Sequence, residues 1–383
     1  MQGTAIYRLP YGNECTLIEG DISEWDSCAE LNGRNGFVIA PFQITSQQPI
    51  LLIRPDHVQR FETSASDNIP EVFGQDLPAG LVWKQENPPQ RIHYSIDFAN
   101  FHAQLQEGMF DKIVLARCAV EPRDGKWTPV QLFRKACRLY PRLFVALVTT
   151  PQSGTWLMAT PEILLEGSGT DWRTVALAGT MRLEGEQLSF DSPPSPVRTD
   201  TMDVRWSTKN IQEQRLVATY VIECLEQFMV GQGSQGARTG VFREEGPRTV
   251  RAANLVHLRS DFAFTLPDNE HLGDVLYALH PTPAVCGLPK RTAFNFIIQN
   301  EHTPRRYYSG FMGPLGIDSQ GQDSEVRPET HLYVSLRCMN IARDTYYLYA
   351  GGGLMKDSTE TQEWLETEAK LETMRMLLKD NLV

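Results

Sequence analysis

The sequence has little of what would mark a membrane, secreted or nucleic-acid-binding protein. Its longest apolar runs, such as LFVALV from Leu143, fall far short of the ~20 residues that a helical bilayer span requires. It has no cationic excess: 36 Lys and Arg against 47 Asp and Glu give −11, which argues against polyanionic partners such as nucleic acid or anionic lipid. Seven cysteines stand singly, at Cys15, Cys28, Cys118, Cys137, Cys224, Cys286 and Cys338, with no CxxC pair and no disulfide-dense spacing. The histidines show neither HxH nor HExxH spacing, so no zinc signature is present, and no P-loop occurs. The opening MQGTAIYRLPYGNE lacks a basic stretch followed by an apolar one, so no secretory signal is expected. With 41% hydrophobic residues the chain can still bury a large core. These features lead to the expectation of an acidic, soluble, cytoplasmic enzyme.

No internal repeat or long flexible linker divides the chain, and a single domain over residues 1–383 is expected. Four polar or Gly/Pro-rich stretches read as loops: SASDNIPEVFGQDLPAG from Ser64, SPPSPVRTD from Ser192, GQGSQGARTG from Gly231 and DSQGQDSEVRPET from Asp318. Between them KIVLARCAV from Lys112, LFVALVTT from Leu143, WLMAT from Trp156, WRTVALAG from Trp172 and TYYLYAGG from Thr345 read as strands. Two segments read as helices by period. One runs from Ser207, with Val217, Tyr220, Val221, Cys224 and Phe228 on its stripe; the other runs from Thr359, with Met374 and Leu377. This mixture indicates an α+β or α/β sandwich. GQGSQG at Gly231 matches G-x-G-x-x-G, but it follows a helix rather than a strand, so a dinucleotide site is not supported.

Carboxylates fall on the helix stripes. Glu213 precedes Val217 by four residues, and Glu363, Glu366 and Lys370 line up with Met374 and Leu377. A surface Glu366–Lys370 pair is the ordinary reading of that spacing and contributes about 0.2–0.5 kcal/mol. The functional reading is that Glu213 and Glu366 converge on a hard divalent cation, Mg²⁺. Just upstream, AGGGLM from Ala350 allows close approach to the backbone, where N–H groups can receive an anion.

Ten ordered blocks carry a resemblance to a known family: KIVLAR at Lys112, ATPEILLEG at Ala159, ALAGT at Ala176, KNIQEQ at Lys209, LVHL at Leu255, LHPTPAVCGLPK at Leu279, YYSGFMGPLG at Tyr307, SLRC at Ser335, AGGGLM at Ala350 and EWLETEAK at Glu363. From about Gln106 to Met374 the chain resembles the chorismate-utilising enzymes. That family includes isochorismate synthase, salicylate synthase, anthranilate synthase component I and aminodeoxychorismate synthase. The resemblance implies two large, mainly antiparallel sheets with flanking helices and a Mg²⁺-dependent site between them. Residues 1–95 would be a variable N-terminal part of the same fold, and 96–380 the catalytic core. Carried over residue by residue, Glu213 and Glu366 are similar to the metal ligands, with Glu363 beside them as a supporting carboxylate rather than a direct ligand. Arg337, Tyr308 and the Gly351 backbone are similar to the grip on the substrate's pyruvyl carboxylate. Gly179, Thr180, His257, Ala284, Val285 and Lys370 correspond to other pocket positions.

Four positions separate the branches. The water-using branch carries a lysine as general base where Lys112 stands, and the ammonia-using anthranilate branch a glutamine; the ordinary reading of Lys112 is a strand-end lysine reaching to solvent. Glu162 resembles the opposing general acid, which protonates the departing C4 hydroxyl. Ala178 stands where aminodeoxychorismate synthases carry a lysine nucleophile. Ala284 stands where lyase-competent members carry threonine. Together these imply the isochorismate synthase branch: chorismate as substrate, Mg²⁺ as cofactor, and no glutaminase partner. Salicylate synthase, which also releases pyruvate, and a non-catalytic chorismate-binding subunit are the alternatives. The product's onward route, to menaquinone, siderophore or salicylate, stays open. Two departures stand out. Asn210 replaces an acidic residue three positions before Glu213, and Gly352 gives AGGG where the family often reads AGAG.

Overall fold

β-branched and aromatic runs dominate the chain, and they form the strands of a computed structural model that describes residues 1–63, 73, 90–182, 205–231, 242–252, 255–266, 270–320 and 326–380. The chain opens with β1 (Gln2–Arg8), β2 (Glu14–Trp25), β3 (Gly36–Ala40), β4 (Ile50–Ile53) and β5 (His57–Glu62). Helix α1 (Gln90–Gln106) leads to β6 (Lys112–Pro122), and α2 (Pro129–Leu139) precedes β7 (Phe144–Thr150), β8 (Gly154–Thr160), β9 (Ile163–Ser168) and β10 (Asp171–Arg182). Then follow α3 (Thr208–Gly231), β11 (Arg243–Ala252), β12 (Leu255–Thr265), α4 (Leu272–Leu279), β13 (Gly287–Leu288) and α5 (Lys290–Asn300). The last third holds β14 (Phe311–Leu315), β15 (Ile317–Gln320), β16 (Val326–Val334), β17 (Cys338–Ile341), β18 (Thr345–Leu354) and α6 (Glu360–Leu378).

Every strand pairing among the described residues is antiparallel, which makes the architecture α+β. The first sheet runs β5–β2–β1–β7–β8–β17–β18–β6–β13. A second runs β2–β4–β3–β14–β16–β9–β10–β12–β11, with β15 on the first part of β16. Strand β2 belongs to both: residues 16–21 pair β1 and residues 22–25 pair β4, so the two expected sheets are joined along one edge. Their inner faces meet in one apolar layer. There Phe144 of the first sheet stacks on Tyr333 of the second, with ring centroids 4.3 Å apart. Helices α2 and α6 cover the outside of the first sheet, and α3 and α4 that of the second. Strands buried on both faces read as continuous apolar runs, which is why KIVLARCAV and LFVALVTT stood out in the sequence.

Two readings need correction. DSQGQDSEVRPET is not simply a loop: Asp318 lies in β15, and residues 326–330 open β16, whose ladder bonds override the poor strand propensity of Asp, Gln and Pro. Helices α1, α2, α4 and α5 were not read from the period, although Thr128 and Gln131 form a capping box that announces α2. The stretches from Ser64 (Phe73 excepted) and from Ser192, and GQGSQG beyond Gly231, lie outside the described residues.

Candidate active site

The inward stripe of α3 (Val217, Val221, Leu225) packs into the core of the second sheet, and it carries Glu213 inside with it. Oε1 of Glu213 lies 2.9 Å from Nζ of Lys112, and its Oε2 accepts the backbone N–H of Gly179 at 3.2 Å. Gly179 can turn its N–H that way because it forms a bulge. The β10–β12 register skips between Ala178 and Thr180, and Gly179 has φ +67°, open to glycine at little steric penalty.

Lys112 has no exposed surface, so it does not reach to solvent. A buried ammonium requires an opposite charge, which Glu213 supplies. Burial alone would raise the Glu213 carboxyl; Lys112, Lys209 and Lys370 outweigh it and hold the group below the usual carboxylate range.

Each glycine of the β18 run is bare for a steric reason. A Cβ on Gly353 would stand 2.2 Å from Glu213 Oε1 and 2.7 Å from Lys112 Cε; one on Gly351 would stand 2.7 Å from the Tyr308 hydroxyl. On Gly352 it would stand 3.0 Å from Oε2 of Glu363. Pairing to β17 ends at Tyr349, so beyond it the glycines are paired on the β6 side only.

Helix α6 lies over this run and brings three charged side chains to it. Lys370 Nζ lies 2.8 Å from Glu366 Oε1 and donates to the Gly351 carbonyl at 2.8 Å. The Glu366–Lys370 pair therefore faces the site rather than being a surface ornament. Glu363 is fully buried, ion-paired with Lys209, and accepts from the Ser358 hydroxyl at 2.6 Å. Burial, and then the neighbouring Glu366, push its carboxyl up to about 7, against the pull of Lys209.

Glu162 stands on the far wall, in the turn between β8 and β9. It is 2% exposed, and Thr282 Oγ1 donates to its Oε1 at 3.4 Å. Burial pushes its carboxyl up to about 8, although Lys112, Thr282, Lys370 and Arg337 all act to lower it. Arg337 adopts φ +47°, a strained value for a non-glycine residue, in the corner before β17. It donates from Nη1 to the Ala252 carbonyl at 2.9 Å and from Nη2 to Nε2 of His257. Arginine is only a donor, so Nε2 must be the acceptor and the proton of His257 sits on Nδ1, which donates to the Gly179 carbonyl at 3.1 Å. Burial, and then Arg337, hold His257 well below its ordinary range, so the ring is neutral. Burial brings Arg337 down to about 10, which still leaves it charged at neutral pH.

These walls enclose a cavity of about 630 Å³, mouth included. Glu162, Gly179, Thr180, Glu213, His257, Ala284, Val285, Tyr308, Arg337, Gly351 and Lys370 all line it. Lys112, Glu363 and Glu366 stand directly behind, joined through Glu213, Lys209 and Lys370. Among the described residues no three His, Cys, Asp or Glu side chains are gathered as metal ligands, since each of these glutamates is turned to a lysine. Sequence reasoning missed Lys209 and Thr282. Lys209 was within reach, one helical turn before Glu213 on the same stripe. Thr282 was not, because its meeting with Glu162 depends on the tertiary fold.

A family model described as chorismate binding enzyme matches residues 38–379. The chain belongs to the chorismate binding enzyme family. The match begins well before Gln106, inside β3, which pairs β14 in the second sheet. The chain is 24% identical over 341 residues to isochorismate synthase EntC of Escherichia coli, covering 89% of this chain and 81% of the relative. It is 27% identical over 370 residues to isochorismate synthase DhbC of Bacillus subtilis, covering 94% and 86%. Among solved structures, the menaquinone-specific isochorismate synthase MenF of Escherichia coli superposes with a TM-score of 0.71 at 22% identity, covering 98% of this chain and 89% of that one. That likeness shows the fold.

Proposed function

We propose that the chain is an isochorismate synthase, which adds water at C2 of chorismate and releases the C4 hydroxyl. The carrying observation is a buried acid in the cavity wall, Glu162, held protonated at neutral pH, with Lys112 buried just behind that wall against Glu213. In this reading Lys112 first sheds its ammonium proton to solvent and then accepts one from the attacking water, while Glu162 donates its own to the departing hydroxyl; exchange with solvent returns a proton from Lys112 to Glu162 before the next turnover. Arg337 offers the pyruvyl carboxylate a guanidinium already fixed by Ala252 and His257, so little side-chain freedom is lost on binding. Tyr308, pressed against Gly351, closes the same end.

Glu213 and Glu366, with Glu363 beside them, fit a hard divalent cation such as Mg²⁺. All three offer oxygen only, and Oε2 of Glu363 is buried without a hydrogen-bond partner. Bound there, Mg²⁺ supplies positive charge to the ring carboxylate and to negative charge developing in the ring. Asn210 in place of the family's acid leaves the cluster one charge short without removing any of these oxygens. Ala178 supports a site without a lysine nucleophile, and Ala284, half-buried in the cavity wall, supports a reaction that stops before pyruvate is lost. Seven buried, unlinked cysteines support a reducing cytoplasm, and none of the described helices is long and apolar enough to cross a membrane.

The deciding experiment is purified protein with chorismate and Mg²⁺, its products separated by chromatography. Isochorismate without pyruvate is expected. Stoichiometric pyruvate with salicylate would replace this reading by a salicylate synthase, and no turnover would leave a binding subunit.

A further inference from the structure

The carboxylate cluster holds one lysine more than the proposed reaction uses. Lys112 pairs with Glu213 at 2.9 Å, Lys370 with Glu366 at 2.8 Å, and Lys209 with Glu363. Lys112 has a role as base, and Lys370 also holds the Gly351 carbonyl. Lys209 has neither kind of task. From the first turn of α3 its ammonium is drawn by Glu363, Glu366 and Glu213 together. Its side chain is 25% exposed toward an open groove that Asp111, Glu223 and Asp357 also line. On the inner side, the fully buried Glu363 keeps one oxygen, Oε2, without a partner. The site is thus closed by an ammonium that has a way out to water, over a carboxylate oxygen without a partner.

We propose that Lys209 is the built-in counter-ion of this cluster: it neutralises the carboxylates until a divalent cation takes them, then withdraws toward the groove. Affinity for the cation is therefore lowered by this side chain. The inference rests on the reading of Glu213, Glu363 and Glu366 as the cation site. With all six groups charged, three carboxylates and three ammoniums sum to zero, so an arriving dication meets no net attraction from them. Removing Lys209 leaves an excess negative charge beside the ion's position, where Coulomb interactions are strong. Asn210, the next residue, adds no charge to offset it.

The test titrates Mn²⁺ into the full chain without chorismate, with free ion counted by its electron paramagnetic resonance signal. Lys209→Met is expected to bind Mn²⁺ about tenfold or more tightly than wild type, a change of roughly 1.4 kcal/mol. Lys209→Arg keeps the charge and should stay near wild type. Lys379→Met makes the same change in net charge at the exposed end of α6 and should leave binding unaltered. Thermal melting separates a structural clamp from a counter-ion. The ion-free Lys209→Met protein should melt below wild type, and saturating Mn²⁺ should erase the difference; a deficit that persists overturns the proposal. Equal or weaker Mn²⁺ binding by Lys209→Met, with wild type binding measurably, overturns the counter-ion role and leaves the cation site standing. If neither protein binds Mn²⁺, the cation site itself falls, and the proposal with it.

Discussion

Glu162 lies among three cations, Lys112, Lys370 and Arg337, and still holds its proton at neutral pH, because burial outweighs their combined pull. Two consequences can be measured. An acid that must be protonated to donate loses its function as pH rises through about 8, so kcat/KM for chorismate should fall on that side of the profile, and Glu162→Gln should remove turnover. Stability follows the same proton. The folded group titrates near 8 and its ordinary value is 4.5, so its contribution is full below 4.5 and is lost as pH rises through about 8. Glu162→Gln has no charge to bury; it should melt higher than wild type at pH 8, an advantage that shrinks toward pH 4.5. Equal melting at pH 8 would mean that Glu162 is ionised in the fold. Lys112 allows a separate test, because it pairs Glu213 and is also the proposed base. Lys112→Arg keeps the positive charge but cannot surrender a proton, so it should lose about 100- to 10,000-fold in kcat, as a missing general base does. Near-normal turnover by that variant would remove Lys112 from the role of base.

At the scale of the element, β18 has given up side chains at three successive positions so that charged groups can lie against its backbone. The glycines are not equivalent. An alanine at 353 would meet Glu213 Oε1 and Lys112 Cε well inside contact distance, whereas one at 352 meets only the end of the Glu363 side chain. Gly353→Ala should separate the Lys112–Glu213 pair and cost about 100-fold in kcat, the size of effect expected for a ~1 Å misplacement. Gly352→Ala should cost less than about tenfold, and the reverse order would show that the run serves a different purpose. The glycine run, the α3 stripe ending at Glu213 and the α6 stripe through Glu366 and Lys370 were legible in the sequence because local period puts those residues on one face. The family resemblance then supplied Arg337, Tyr308 and His257, which no local period could bring together. Some things needed the fold itself. The bulge at Gly179 depends on the β12 register, and the Thr282–Glu162 contact joins residues 120 positions apart. Likewise β15 and residues 326–328 of β16 form strands because each has the other's backbone to pair with.

At the scale of the molecule, a chain of formal charge −11 is proposed to bind a small dianion. The first sheet contributes Lys112 on β6 and the glycines of β18, the second contributes Gly179 and His257, and α3 and α6 bring in the carboxylates. The attraction for an anion is therefore local, from Arg337, Lys370 and Lys112 inside the cavity walls, while the field seen from a distance is negative. Salt distinguishes these two ranges. At ~0.15 M ionic strength charges are screened beyond about 8 Å, so added salt mutes the surface field but hardly touches contacts made within the cavity. An enzyme that steers its anion by long-range attraction loses association rate steeply as salt rises. Here kcat/KM for chorismate, measured at fixed free Mg²⁺ in rising KCl, should stay flat or climb slightly as the repulsive surface is screened, with kcat unchanged. A fall of about tenfold between ~0.05 and ~0.3 M would show instead that a positive field reaches out of the cavity mouth and overrides the acidic surface.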